Sequence, residues 1–144
     1  MTGRADAGLR SAIPALPVRD VAAAVAHYRD RLGFEARHEE EGFAILVRDG
    51  AELDLWRAGD EAWRGRGDLR ERPVCSGAES FIAGTASCGI EVADVDGLFA
   101  ELEAADVLHE VSRDGVRRTE WGTRQVDALD LDGNLLTFYV RDGG

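Results

Sequence analysis

The chain has 144 residues, 44% of them hydrophobic and 31% charged, a composition that is typical of a folded globular protein and excludes a disordered or fibrous one. Its 28 acidic and 17 basic residues give a formal net charge of -11, which argues against a nucleic-acid partner because phosphate binding requires positive charge. No apolar run approaches the roughly 18 residues that a membrane span requires, so we expect a cytoplasmic protein with no membrane partner.

The first elements predicted along the chain are a short apolar strand and an amphipathic helix. The strand ends at Asp20, whose side chain can accept hydrogen bonds from the first free N–H groups of a helix. Apolar residues then recur at helical spacing as far as Leu32, and Gly33 stands where a C-terminal cap is expected. The pattern therefore predicts a helix with one buried face.

A β-hairpin is predicted after the helix. Residues 43–47 form a strand-like apolar run, and Asp49 and Gly50 give a strong turn signal. A second apolar run then continues to Trp56. The hairpin adds two antiparallel strands to the first half of the chain.

Residues 58–85 form a long connection that is rich in glycine and charge. Because it is too long for an ordinary connection, we predict a functional loop or a mobile flap, in which Trp63 and Phe81 are the large aromatic residues. Cys75 lies in this segment and Cys88 lies beyond it. Two cysteines in a chain with no secretion signal do not indicate a disulfide framework.

The second half of the chain repeats the first. Residues 92–95, VADV, match residues 18–21, VRDV, and a helical pattern follows each copy. Residues 132–139 match residues 49–56, and each of these copies begins with Asp-Gly. Each half therefore reads as a strand, a helix and three further antiparallel strands.

These matches predict a single domain, residues 1–144, that consists of two βαβββ repeats, residues 11–57 and 86–141. The fold class is α+β, with curved mixed sheets around a groove. Because side chains alternate between the two faces of a strand, the apolar positions must face the helices and the others must face the groove. The predicted groove positions combine aromatic, acidic and hydroxyl side chains, as ligand pockets do: Asp54, Trp56, Glu91, Thr137 and Tyr139.

Four stretches of the sequence carry a resemblance to a known family. They are SAIPALPVRDVAAAVAHYRDRLGF at residues 11–34, EEEGFAILVRDGAELDLW at 39–56, TEWGTRQ at 119–125 and DLDGNLLTFYV at 130–140. Together with the repeat, they resemble the vicinal oxygen chelate superfamily, which includes glyoxalase I, extradiol dioxygenases and bleomycin resistance proteins. The resemblance is closest to the bleomycin-binding branch, and it implies the glyoxalase/bleomycin resistance fold.

The resemblance also implies an antibiotic-binding protein that sequesters bleomycin-type glycopeptides and leaves them chemically unchanged. The flat bithiazole of the drug would stack on two aromatic residues, which correspond to Phe43 and Trp121, and Gly122 would leave the indole free to turn. The net charge of -11 suits such a cationic ligand. The family further implies a homodimer that exchanges N-terminal arms, with Pro14 as the hinge. Without the resemblance, we would predict that Trp121 caps the sheet edge and that Pro14 is an ordinary edge-strand proline.

A metal-dependent enzyme of the same superfamily, a glyoxalase I-like lyase or isomerase or a dioxygenase, is the alternative. The family takes its metal ligands from four groove positions, which correspond here to Ile13, Asp54, a residue within 87–89, and Thr137. One carboxylate among weak donors is a poor site for a divalent ion, although a shifted register would add Glu91 or Glu52. We therefore expect no catalytic residues, no metal and no cofactor. A binder of some other flat or cationic compound is the second alternative.

Overall fold

Two copies of the same arrangement follow one another in the computed structural model, which describes residues 3–58, 78 and 82–142. The first copy comprises β1 (Ala15–Val18), α1 (Val21–Leu32), β2 (Glu35–Glu40), β3 (Phe43–Arg48) and β4 (Ala51–Arg57). The second copy comprises β5 (Ser87–Glu91), α2 (Val95–Ala104), a 3-10 helix (Glu110–Ser112), β6 (Arg117–Arg118), β7 (Thr123–Leu129) and β8 (Leu135–Arg141). Most of the predicted loop at 58–85 lies outside the described residues, and so do Trp63, Cys75 and Phe81.

Each copy forms a mixed four-stranded sheet. The strand order is β1-β4-β3-β2 in the first sheet and β5-β8-β7-β6 in the second. In each sheet the first strand pairs in parallel with the last strand, and the remaining pairs are antiparallel. The predicted α+β fold with two βαβββ modules is confirmed.

Both helices begin at the predicted aspartate caps. The Asp20 carboxylate accepts a hydrogen bond from the N–H of Ala23 at 3.2 Å, and Asp94 accepts one from Gly97 at 2.9 Å. Helix α1 ends at Gly33, whose φ of 73° places it in the left-handed region that favours glycine. Helix α1 has 12 residues, and none of the helices within the described residues is long and apolar enough to cross a bilayer.

The apolar faces of the two sheets and the helices contribute to one core. Six of the residues that strand alternation assigns to the helix side are at most 4% exposed, and Ile90 and Val92 are partly buried against the same core: the six are Leu16, Val18, Leu53, Leu55, Leu136 and Phe138. Each side chain of this size contributes roughly 1.5–3 kcal/mol when it is buried. Cys88 is half-buried and packs against the same core, and burial raises the pKa of its thiol to about 11. The thiol is therefore protonated and unreactive at neutral pH.

A buried polar network joins the two halves of the chain at Asp130. The Oδ1 atom of this carboxylate accepts hydrogen bonds from the backbone N–H groups of residues 132–134, each at 2.9 Å. Its Oδ2 atom accepts hydrogen bonds from the Tyr28 hydroxyl and the Asn134 amide, also at 2.9 Å. The same amide donates to the carbonyl oxygen of Pro17. The β7–β8 turn of the second half is thus bonded to α1 and β1 of the first.

The outer edges of the two sheets differ. In the first sheet the edge strand is β2, which pairs with β3 along its length apart from one irregularity. In the second sheet the edge is interrupted. Leu108 forms an isolated bridge to Ala128, the 3-10 helix follows, and the two residues of β6 then pair with β7. The Ser112 hydroxyl accepts the hydrogen bond of the Asp127 N–H where the edge strand is missing. This side chain replaces a backbone partner and lets the chain leave the sheet.

Candidate functional site

The face of the first sheet that points away from the helices carries an aromatic pair. Phe43 and Trp56 are opposite one another in the β3–β4 register, and their ring centroids are 4.6 Å apart at an interplanar angle of 49°. Both side chains are half-buried, and the imidazole ring of His38 lies 5.9 Å from that of Phe43. Since part of each ring is accessible, the pair offers an apolar surface to a ligand.

Asp54 lies on the same face and has an unsatisfied oxygen atom. It is paired in register with Ile45 of β3 and Ala15 of β1, neither of which offers a polar side chain. Its Oδ1 atom is buried and has no hydrogen-bond partner among the described residues. Burial raises the pKa of the Asp54 carboxyl, and the neighbouring Glu52 carboxylate raises it further. The site therefore holds an acceptor that a positively charged or N–H donor group would satisfy.

The corresponding face of the second sheet carries Glu91, Thr137 and Tyr139. Glu91 and Tyr139 are paired in register between β5 and β8. The Arg141 guanidinium donates to Glu91 at 3.1 Å and lies 5.3 Å from the centroid of the Tyr139 ring. Gly89 has no side chain, and a Cβ atom there would be 3.4 Å from the tyrosine ring. The Tyr139 ring therefore lies near both the Glu91–Arg141 ion pair and the backbone of Gly89.

A buried polar stripe on β7 belongs to the same face, and the sequence analysis did not identify it. It consists of alternate residues that are all less than 9% exposed: Thr123, Gln125 and Asp127. Asp127 accepts hydrogen bonds from the Thr137 hydroxyl at 2.6 Å and from the Arg117 guanidinium at 3.0 Å. The signal was present in the sequence, because residues at every second position of a strand share one face, and Val126 and Ala128 place the opposite face of β7 in the core.

Trp121 lies just before β7 and is 70% exposed. Gly122 follows it with a φ of 87°, a conformation that favours glycine, and its carbonyl oxygen accepts the Asp142 N–H at 2.8 Å. The backbone is thus anchored next to an indole that extends into solvent. The indole is therefore accessible to a ligand, and its role as a ligand contact stays a prediction.

The predicted site residues fall into separate groups in a single chain. Phe43, Asp54 and Trp56 lie on the first sheet, Glu91, Thr137 and Tyr139 lie on the second, and Trp121 and Gly122 lie at the start of β7. No hydrogen bond, ion pair or ring contact within the described ranges links the first-sheet group to the second-sheet group. One chain therefore offers two groups of predicted ligand contacts, and the cleft between them stays a prediction.

The strand registers show which residues lie beside the predicted metal positions. Ala15 is opposite Asp54, whereas Ile13 precedes β1, and Gly89 is opposite Thr137. Neither Ala15 nor Gly89 has a side-chain donor. The carboxylates that a shifted register would add are in ion pairs, Glu52 with Arg37 and Glu91 with Arg141. Among the described residues, no three His, Cys, Asp or Glu side chains are grouped so that they could hold a metal ion.

Comparison with known proteins gives a consistent result. The sequence profile of the Glyoxalase/Bleomycin resistance protein/Dioxygenase superfamily matches residues 11–138. Proteins named Bleomycin resistance protein from Geobacillus stearothermophilus and Staphylococcus aureus are 43% identical to this chain over 127 residues, which are 88% of this chain and 93% of theirs.

Solved structures share the fold. The bleomycin-binding protein of bleomycin-producing Streptomyces verticillus, solved with copper(II)-bleomycin, has a TM-score of 0.67 and 25% identity, covering 94% of this chain and 98% of that one. Lactoylglutathione lyase from Agrobacterium tumefaciens has a TM-score of 0.66 and 21% identity, covering 92% of this chain and 95% of that one. At 21% identity the second similarity concerns the fold alone.

Proposed function

Because this chain belongs to the Glyoxalase/Bleomycin resistance protein/Dioxygenase superfamily, we propose that it binds bleomycin-type glycopeptide antibiotics in the cytoplasm and sequesters them without chemical modification. The observation that carries this proposal is the 43% identity to proteins named Bleomycin resistance protein, over 88% of the chain. The fold shared with a bleomycin-binding protein that was solved with its drug supports it.

The proposed ligand contacts come from both walls and from the exposed tryptophan. They are Phe43, Asp54, Trp56, Glu91, Trp121, Gly122, Thr137 and Tyr139. The aromatic rings would stack on flat parts of the drug, and the unsatisfied oxygen of Asp54 would accept a hydrogen bond from a cationic or N–H group. Aromatic surfaces and acceptors that are fixed before binding lower the cost of ordering the site.

We further propose a homodimer of single-domain chains that exchange N-terminal arms at Pro14, so that each cleft has walls from two chains. The N-terminal arm supports this proposal, because residues 3–13 are exposed and form neither helix nor strand. Leu9 in this arm is 97% exposed, and an apolar side chain of this kind gains stability when a partner covers it.

Calorimetric titration with bleomycin tests the function, with sedimentation, metal analysis and drug mass measured on the same sample. We expect a micromolar or tighter complex, a dimer with two drug molecules, and recovered drug of unchanged mass. Absence of heat at micromolar concentrations contradicts the binding proposal. A changed drug mass, or a stoichiometric bound metal that survives dialysis, favours the enzyme alternative.

Replacement of Trp121 by alanine is expected to weaken bleomycin binding by about 1 kcal/mol or more, roughly fivefold. The indole is 70% exposed, so its loss leaves no cavity in the core and the unfolding transition should not change. Titration of the variant measures the effect. Leu131→Ala, at a residue that is 52% exposed in the β7–β8 turn, is the matched control and should bind like the wild type. Equal affinities for all three proteins would show that Trp121 does not contact the drug.

A further inference from the structure

The buried stripe on β7 contains a carboxylate that has no role in the core. Asp127 is only 2% exposed, yet it lies on the sheet face that points away from the helices. One of its oxygens accepts the Thr137 hydroxyl and the other accepts the Arg117 guanidinium. A buried carboxylate costs free energy unless it is paired, and these two bonds pair both oxygens of Asp127.

The first bond fixes what Thr137 can offer to a ligand. A hydroxyl has one proton to donate and two lone pairs that accept. Because Thr137 donates its proton to Asp127 over 2.6 Å, only its lone pairs are left for a ligand in the groove. The threonine is therefore an acceptor at this wall, as the unsatisfied oxygen of Asp54 is at the other wall.

The second bond neutralises a cation on the same wall. The Arg117 side chain is 45% exposed while its carboxylate partner is 3% exposed, so the guanidinium lies at the boundary between the stripe and the solvent. Without Asp127, this wall would present a full positive charge to the ligand. With Asp127, the Asp127–Arg117 pair is neutral. The uncompensated carboxylate of Asp54 then makes the net charge of the site negative.

We propose that Asp127 is a positioning residue that sets the selectivity of the site for cationic ligands. It makes Thr137 an acceptor and cancels the charge of Arg117, so that both walls present acceptors to N–H donors and positive groups. This inference rests on the proposed function, because it concerns which bleomycin-type ligand the same cleft prefers.

The test compares two ligands that differ in charge at one end. These are bleomycin, with its cationic tail, and bleomycinic acid, which ends in a carboxylate at the same place. The affinity for bleomycin divided by the affinity for bleomycinic acid gives a selectivity ratio. This ratio should fall about tenfold in Asp127→Asn, because the variant leaves Arg117 unpaired and positive. In Arg117→Gln the ratio should rise, because Asp127 then adds a negative charge. A loss of fold would lower both affinities together and would leave the ratio unchanged.

The double variant Asp127→Asn with Arg117→Gln is the matched control. It removes both charges and restores neutrality, so the affinity ratio should return to within about twofold of the wild-type ratio. If Asp127→Asn does not fold, the opposite shift in Arg117→Gln still tests the inference. An unchanged ratio in the folded single variants overturns the inference and leaves the proposed function intact. Failure of the wild-type chain to bind bleomycin overturns both.

Discussion

Replacement of Asp130 by alanine is expected to lower the free energy of unfolding by about 3–5 kcal/mol, one of the largest effects of a single change in this chain. The carboxylate is 5% exposed and accepts hydrogen bonds from three backbone N–H groups, the Tyr28 hydroxyl and the Asn134 amide. Its removal takes an acceptor from every one of these donors, although the Gly133 N–H also donates to the Asp130 carbonyl oxygen and the Asn134 amide to that of Pro17. Burial and the neighbouring carboxylate hold the pKa of Tyr28 well above its usual value, so its hydroxyl keeps the proton that needs a partner.

Urea unfolding at fixed protein concentration measures this loss, since the proposed dimer would make the midpoint depend on concentration. Tyr28→Phe removes only one of the donors and should cost about 1–2 kcal/mol. Asp30→Ala, at an exposed carboxylate on α1, is the matched control and should change stability by no more than about 0.5 kcal/mol. A cost below about 1 kcal/mol for Asp130→Ala would show that the network is dispensable.

Replacement of Asp54 by asparagine is expected to weaken bleomycin binding about tenfold or more without loss of stability at neutral pH. The variant keeps the shape of the side chain and removes the charge that the cationic drug would contact. Burial, and then Glu52, raise the pKa of this carboxyl, so the folded chain takes up its proton more readily than the unfolded chain. The ionised group therefore disfavours folding above the raised pKa, and this cost disappears as the pH falls through it.

Falling pH should weaken binding, whereas it removes the cost that the ionised Asp54 imposes on folding. As the pH falls through the raised pKa of Asp54, the carboxylate becomes neutral and the wild-type affinity should decrease. Titrations over a series of pH values should show this decrease in the wild type and not in Asp54→Asn. Asp49→Asn, at a carboxylate in the β3–β4 turn that is 94% exposed, should behave like the wild type. If Asp54→Asn keeps full affinity, the unsatisfied oxygen is not a ligand contact.

Much of the fold follows from local signals in the sequence. Asp20, Asp94 and Gly33 mark helix ends because caps satisfy backbone groups within a few residues of themselves. The Asp-Gly turns and the alternation of apolar residues assign strands and faces for the same reason, since both depend on neighbours along the chain. The match between the two halves then extends these local assignments to two βαβββ modules.

Local alternation along the strands also predicts the face of each site residue. As predicted, Asp54, Trp56 and Tyr139 lie on the side away from the helices. Alternation does not fix which residue is opposite another on a neighbouring strand. The sequence alone therefore left open which residues are opposite Asp54 and Thr137 across the parallel strand pairs, and these are Ala15 and Gly89. Register depends on contacts between strands that are far apart in the chain.

The sequence by itself determined the two modules, their helix caps and the faces of their strands, because each rests on spacing between near neighbours. Only the tertiary structure decided that Asp127 is buried and paired with Arg117 and Thr137, and that Asp54 has an oxygen without a partner among the described residues. These properties depend on which distant segments cover a side chain. Burial and charge pairing are set by that packing, and spacing along the chain does not contain them.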